Sequence, residues 1–178
     1  GSSSPLGTDS VTLSPYLGFE SLRPALDLAD ENDRGTFVLA LTSNPEGKSV
    51  QHVGASESGH SGESGGAVAK RIIAAATAEN ASRQWEQMGP CGLVVGATVG
   101  QALVDLGIDL GSFNGPILSP GYGAQGASAA DLYRVFAGVE SQVLVNSSRG
   151  VLAAGPSVEG LAQAAQAARD DLLAARGA

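Results

Sequence analysis

Gly92-Leu93-Val94-Val95-Gly96, running into Ala97-Thr98, is a short, continuously apolar stretch closed by small and hydroxyl residues. That pattern reads as a strand buried on both faces of a parallel sheet. The same unit occurs four more times on either side of it. Towards the N-terminus, Thr36-Phe37-Val38-Leu39-Ala40-Leu41 leads into Thr42-Ser43-Asn44-Pro45-Glu46-Gly47, and Ser10-Val11-Thr12-Leu13-Ser14 into Pro15-Tyr16-Leu17-Gly18. Towards the C-terminus, Pro116-Ile117-Leu118-Ser119 leads into Pro120 to Gly126, and Gln142-Val143-Leu144-Val145-Asn146 into Ser147-Ser148-Arg149-Gly150. Helical spacing fills the intervals at 20–31, 67–85, 99–106, 128–137 and 157–175. Ser128 is placed to N-cap its helix, with Asp131 at the third position and Gly138 as the stop. Strands begin about 25 residues apart, except where 47–66 intervenes. That segment is rich in Gly, Ser, Glu and His and reads as a long flexible loop.

Five consecutive βα units predict an α/β fold. A doubly wound sheet and a (β/α)₈ barrel both accommodate them. A barrel closes with eight units, so on that reading residues 1–178 are a partial TIM-barrel domain, with three units missing from its N-terminal side. The opening Gly1-Ser2-Ser3-Ser4-Pro5, without an initiator Met, agrees with this expectation.

The chain has 178 residues, 43% of them apolar, a net charge of −8 and a pI near 4.6. So acidic a chain offers nucleic-acid phosphates and anionic membranes little attraction. No apolar run approaches the roughly 18 residues of a membrane span. The single cysteine, Cys91, can form neither an internal disulfide nor a cysteine-based zinc cage. No nucleic acid, membrane or metal is expected.

Gly121-Tyr122-Gly123-Ala124-Gln125-Gly126 is a literal G-x-G-x-x-G between a strand and a helix. A dinucleotide fingerprint belongs at the first βα turn, with an acidic residue about 20 positions on. This one sits in the fourth unit, and the next strand ends Val145-Asn146. A phosphate cradle suits it better, since glycines let backbone amides approach an anion; a plain tight turn is the alternative. Arg149 follows the very next strand and offers a planar fork of donors to phosphate oxygens, or else a surface ion pair. Adjacent loops of this kind form the phosphate site of many barrels. Thr42-Ser43-Asn44-Pro45 could read a polar heterocycle or cap a turn. Gly62-Glu63-Ser64-Gly65-Gly66 matches the nucleophile elbow only in letters, for no strand precedes it. His52 and His60 read as loop histidines and Cys91 as a packed small residue. No carboxylate pair or lysine stands at a strand end. The residues describe a phosphate binder with no evident acid, base or nucleophile.

Taken in order, Ser14-Pro15-Tyr16-Leu17-Gly18, Thr42-Ser43-Asn44-Pro45-Glu46-Gly47, Val95-Gly96-Ala97-Thr98, Ser119-Pro120-Gly121-Tyr122-Gly123-Ala124-Gln125-Gly126 and Ser147-Ser148-Arg149-Gly150 resemble orotidine 5′-phosphate decarboxylase in its actinobacterial form. The resemblance covers Ser4 to about Leu173 and matches strands four to eight of the family's barrel. It implies a cytoplasmic, cofactor-free enzyme of pyrimidine biosynthesis, usually a homodimer, that converts orotidine 5′-monophosphate to UMP and CO₂. It further implies that Ser43 bonds the pyrimidine edge and Pro120 lies near the base. Gln125 and the backbone from Gly123 to Gly126 would hold the phosphate with Arg149. The family's Asp-x-Lys-x-x-Asp motif is absent from the sequence. The expectation is therefore a C-terminal part of the enzyme, inactive alone and completed by a missing N-terminal half-barrel. A non-catalytic nucleotide-phosphate-binding half-barrel is the second reading, and a Rossmann-like nucleotide domain the third.

Overall fold

The computed structural model describes residues 7–55 and 66–176. Strands β1 (Ser10–Leu13), β2 (Gly35–Leu41), β3 (Cys91–Val95), β4 (Ile117–Pro120) and β5 (Val143–Asn146) form one parallel sheet in the order β1-β2-β3-β4-β5. A doubly wound sheet must reverse its strand order at a switch point. This sheet never does, so the Rossmann-like alternative is set aside. Right-handed crossovers between sequential strands place the connecting helices on the same side.

The register gives the sheet two unlike faces. Val38, Leu93 and Ile117 lie side by side, fully buried. They share one core with Leu26 of α1 (Arg23–Glu31), Ile72 and Ile73 of α3 (Val68–Ala81), Leu103 of α4 (Gly100–Asp105) and Leu132 of α5 (Ala129–Val135). The alternate residues Phe37, Leu39, Val94, Leu118 and Leu144 point the other way and lie outside that core. Gly92 gives the Phe37 ring its room, since a Cβ there would meet the ring at 2.6 Å. A trough of about 460 Å³ opens where this face meets the N-terminal ends of the strands, bordered by Ser10 of β1 as well as Leu144 of β5. A flat sheet could not bring its two edge strands to one cavity. The sheet is curled into an arc, with helices outside and an open concave face inside.

Burial on both faces, expected for all five strands, holds only in the middle. All five residues of β3 are buried, whereas β1 is almost wholly exposed and β5 alternates half-buried with exposed. The edge strands have apolar sequences but a strand neighbour on one side only.

Helix ends follow local chemistry. Pro24 sits in the first turn of α1, where its missing N–H costs no bond. Ser128 and Asp131 form a reciprocal capping box on α5. Helix α3 stops at Ala81, short of Trp85, because the chain turns back over it. The Trp85 Nε1–H donates to the Asn80 carbonyl at 2.8 Å, and the buried Asn80 amide bonds both the carbonyl (2.8 Å) and the N–H (3.1 Å) of Cys91. One side chain thereby joins the end of α3 to the start of β3.

Part of the expected loop is helical, with α2 spanning Lys48–Gln51. Residues 56–65, with His60 and the elbow-like Gly62-Glu63-Ser64-Gly65, lie outside the described residues. The 147–150 turn also differs from its reading as a loop. It enters a short helix α6 (Ser148–Leu152) before the long α7 (Val158–Arg176). Among the described residues no helix is long and apolar enough to cross a membrane.

Candidate phosphate-binding site

Each strand hands the chain to a loop at the same rim of the arc. The residues directly after β1 to β5 are Ser14, Thr42, Gly96, Gly121 and Ser147. None of them ionises near neutral pH. The rim can bind and orient polar groups, and these positions supply no acid or base.

The turn after β4 is shaped by its glycines. Gly121, Gly123 and Gly126 have φ of +117°, +70° and +97°, a region costly for other L-residues. The Gly123 N–H donates to the Ala127 carbonyl and the Gly126 N–H to the Gly123 carbonyl, each at 2.8 Å. These two glycines therefore shape the turn. The amides of Ala124 and Gln125 donate to no group among the described residues.

Beside this turn lies the loop after β5. Together they enclose a cleft of about 80 Å³ lined by Pro120, Gly121, Tyr122, Ala124, Gln125, Asn146, Ser147, Ser148 and Arg149. At ~30 Å³ per water, the volume suits a small anion, with any larger ligand body lying over the concave mouth. The Arg149 side chain is exposed and makes no ion pair among the described residues. A free guanidinium, free amides and serine hydroxyls around one small cleft are what a phosphate requires.

Ser43 arrives from across the rim, and its hydroxyl donates to the Gln125 Oε1 at 3.4 Å. Of the residues singled out by sequence, Pro120, Gln125 and Arg149 border the cleft and Ser43 touches it through Gln125. Gly123 lines neither this cleft nor the larger groove that Gly126 borders. That groove, about 670 Å³ between α4 and α5, is walled by Leu103, Val104, Ile108 and Val135. Its one guanidinium, Arg134, is already paired with Asp131 at 3.0 Å. The groove is roomier, but the small cleft has the free donors.

Residues 2–164 match the orotidine 5′-phosphate decarboxylase / HUMPS family. The chain belongs to this family. Orotidine 5′-phosphate decarboxylase of Streptomyces coelicolor is 51% identical over 162 residues, which cover 90% of this chain and 53% of that protein. The enzyme of Salinispora arenicola is 49% identical over 97% of this chain and 58% of its own length. The crystal structure assigned to this enzyme from Streptomyces avermitilis superposes with a TM-score of 0.85 at 48% identity, covering 99% of this chain and 57% of that one. Leishmania donovani OMP decarboxylase gives 0.66 at 26% identity, covering 96% and 58%. The chain thus spans little more than half the length of these decarboxylases.

Several contacts at the rim had no legible signal. Gln51 of α2 grips the Ser43 turn, accepting from the Thr42 N–H at 2.9 Å and donating to the Thr42 hydroxyl at 3.0 Å. A glutamine in a polar segment has no spacing that marks such a role. The Ala97 N–H donates to the Pro120 carbonyl at 2.8 Å, holding the ends of β3 and β4 together. The Tyr122 hydroxyl donates to Asp171 of α7 at 2.7 Å. Desolvation and that carboxylate push the tyrosine pKa up to about 12. Cys91, at the opposite end of β3, is buried and its thiol is pushed up to about 11, chiefly by desolvation. A thiol so protonated is packing and not a nucleophile.

Proposed function

We propose that this chain is the part of an orotidine 5′-phosphate decarboxylase barrel equivalent to strands four to eight, and that it holds the phosphate and pyrimidine ends of orotidine 5′-monophosphate. The cleft joining Gln125 to Arg149, which has no ion-pair partner among the described residues, carries this reading. Arg149 and the Ala124 and Gln125 amides grip the 5′-phosphate. Ser43 and Pro120 stand where the base lies, with Gly123 and Gly126 setting the loop's shape. The chemistry belongs elsewhere. Loss of CO₂ leaves charge on the pyrimidine ring that fixed cations must stabilise, and the only lysines, Lys48 and Lys70, sit on α2 and α3. The phosphate handle contributes orientation far from the reacting carbon.

On this reading the open concave face and the free edges of β1 and β5 receive three further βα units, in cis or from another polypeptide, and the completed barrel pairs as a homodimer. Purified residues 1–178 are expected to give no loss of orotidine 5′-monophosphate absorbance over hours. Adding the N-terminal βα units of a full-length relative restores turnover. Charge-assisted bonds to phosphate contribute about 1.5–3 kcal/mol each. Arg149→Ala in the completed barrel therefore weakens UMP binding by roughly one to two orders of magnitude. Unchanged UMP affinity in that variant, or turnover by 1–178 alone, defeats the proposal.

A further inference from the structure

The glycine turn has few anchors of its own. Three of its six residues carry no side chain, and from Gly123 to Gly126 every residue is exposed. Its contact with Ser43 is long, at 3.4 Å and open to solvent. Tyr122 is the exception. Its ring packs half-buried against the core, and its hydroxyl reaches Asp171 at 2.7 Å. That length is typical of an O–H bonded to a carboxylate, the stronger class of hydrogen bond.

Asp171 stands on α7, which follows α6 and its Arg149 after a short break. Helix α7 has 19 residues and none is fully buried. It is seated by half-contacts such as Leu161, Ala164 and Leu172, so a directional bond to the core side matters more than usual. The turn bearing Ala124 and Gln125 is thus joined by one side-chain bond to α7, the helix against which α6 and its Arg149 pack.

We infer that Tyr122 and Asp171 are positioning residues, a clasp between the glycine turn and α7 that sets the gap between Gln125 and Arg149. The inference rests on the cleft being the phosphate site. Because the hydroxyl proton is given to Asp171, Tyr122 acts through the turn's position and does not itself ligate the anion. Removal of either partner loosens both walls, and removal of the second adds nothing.

The test uses the 178-residue chain and its Tyr122→Phe, Asp171→Ala and double variants, with UMP and uridine as probes in calorimetric titration. Each single variant raises the UMP Kd about five- to tenfold, the double variant raises it no further, and uridine binding is unmoved in all three. Asp171→Asn, which keeps an acceptor at the same place, recovers most of the affinity. Tighter UMP binding in Asp171→Ala overturns the clasp, since the carboxylate would then act only by repelling the anion. Additive losses in the double variant overturn it as well. Amide hydrogen exchange without ligand is a second, independent measurement. Tyr122→Phe speeds exchange in 121–127 and also in 148–152, while 91–95 keeps its protection. Unchanged exchange at 148–152 ends the proposal. Failure of the unmodified chain to bind UMP strikes the phosphate reading alone, and the exchange result still decides the clasp.

Discussion

β3 and β5 contain nearly the same letters. Leu93-Val94-Val95 sits in one and Val143-Leu144-Val145 in the other, yet the first is buried throughout and Leu144 in the second is 52% exposed. Composition does not explain the difference; neighbours do. β3 has a strand on each side, helices on its convex face, and curvature that folds adjacent side chains over its concave one. β5 has a strand on one side only, and its inward residue looks across an open trough towards β1, where Ser10 is exposed as well. In a curled parallel sheet, burial of the inner face comes from lateral neighbours, so it is lost first at the edges.

The largest consequence is energetic. Leu93→Ala empties a fully buried site and should cost about 2–5 kcal/mol in urea unfolding. Leu144→Ala removes the same atoms from a half-open face, and the loss should stay below about 1 kcal/mol. Equal losses would mean that the edge is covered in solution, for instance by a second copy.

Next in size is a pH effect confined to the centre. The Cys91 thiol titrates near 11 in the folded chain, against about 8.5 when unfolded. Between those values the unfolded state binds fewer protons, so stability falls as pH rises, by about 1.4 kcal/mol per pH unit. Below the unfolded value the contribution is complete. Cys91→Ala should flatten this slope relative to the parent chain, and adding Leu144→Cys to that variant should not bring it back. Superimposable pH–stability curves for parent and Cys91→Ala would refute the buried assignment.

The smallest effect on stability accompanies a clear change in association. Val11→Lys with Leu144→Lys should alter unfolding free energy by no more than about 0.5 kcal/mol each, as exposed substitutions do. Lysines on edge strands oppose edge-to-edge pairing. Sedimentation at high concentration should therefore show less self-association than in the parent chain. Association that persists in the double variant would place the sticky surface elsewhere.

Much of this architecture was legible. Apolar runs bounded by Gly, Ser and Pro located all five strands to within about two residues, and Ser128 with Asp131 marked the start of α5. Both are local signals, set by backbone propensity and by bonds only three residues apart. Pro120, Gln125 and Arg149 were legible as a set because each stands at a strand end, and parallel strands deliver their ends to one rim. The break between α6 and α7 was not, nor was the short α2, since four- and five-residue helices lie below the length at which periodicity speaks. The partnerships of Gln51 with Thr42 and of Tyr122 with Asp171, 49 residues apart, leave no trace in spacing.

Residue order alone thus specifies a chain of five βα units, an acidic surface, and a glycine turn followed one unit later by an arginine. Each of these depends on short-range patterning that survives in any packing. Folding was needed to settle that the strands lie in sequential order on a curled sheet, that the concave face stands open between β1 and β5, and that Arg149 is left without an acidic partner among the described residues. It also settled which amides of the glycine turn are free. Gly123 and Gly126 look like the anion's donors on paper, yet closing the turn consumes their N–H groups, while those of Ala124 and Gln125 are among the amides left without an acceptor among the described residues. One cause underlies all of these. Order, curvature and the partner of a hydrogen bond are set by what other segments bring to the same place, and distant segments meet only when the chain has folded.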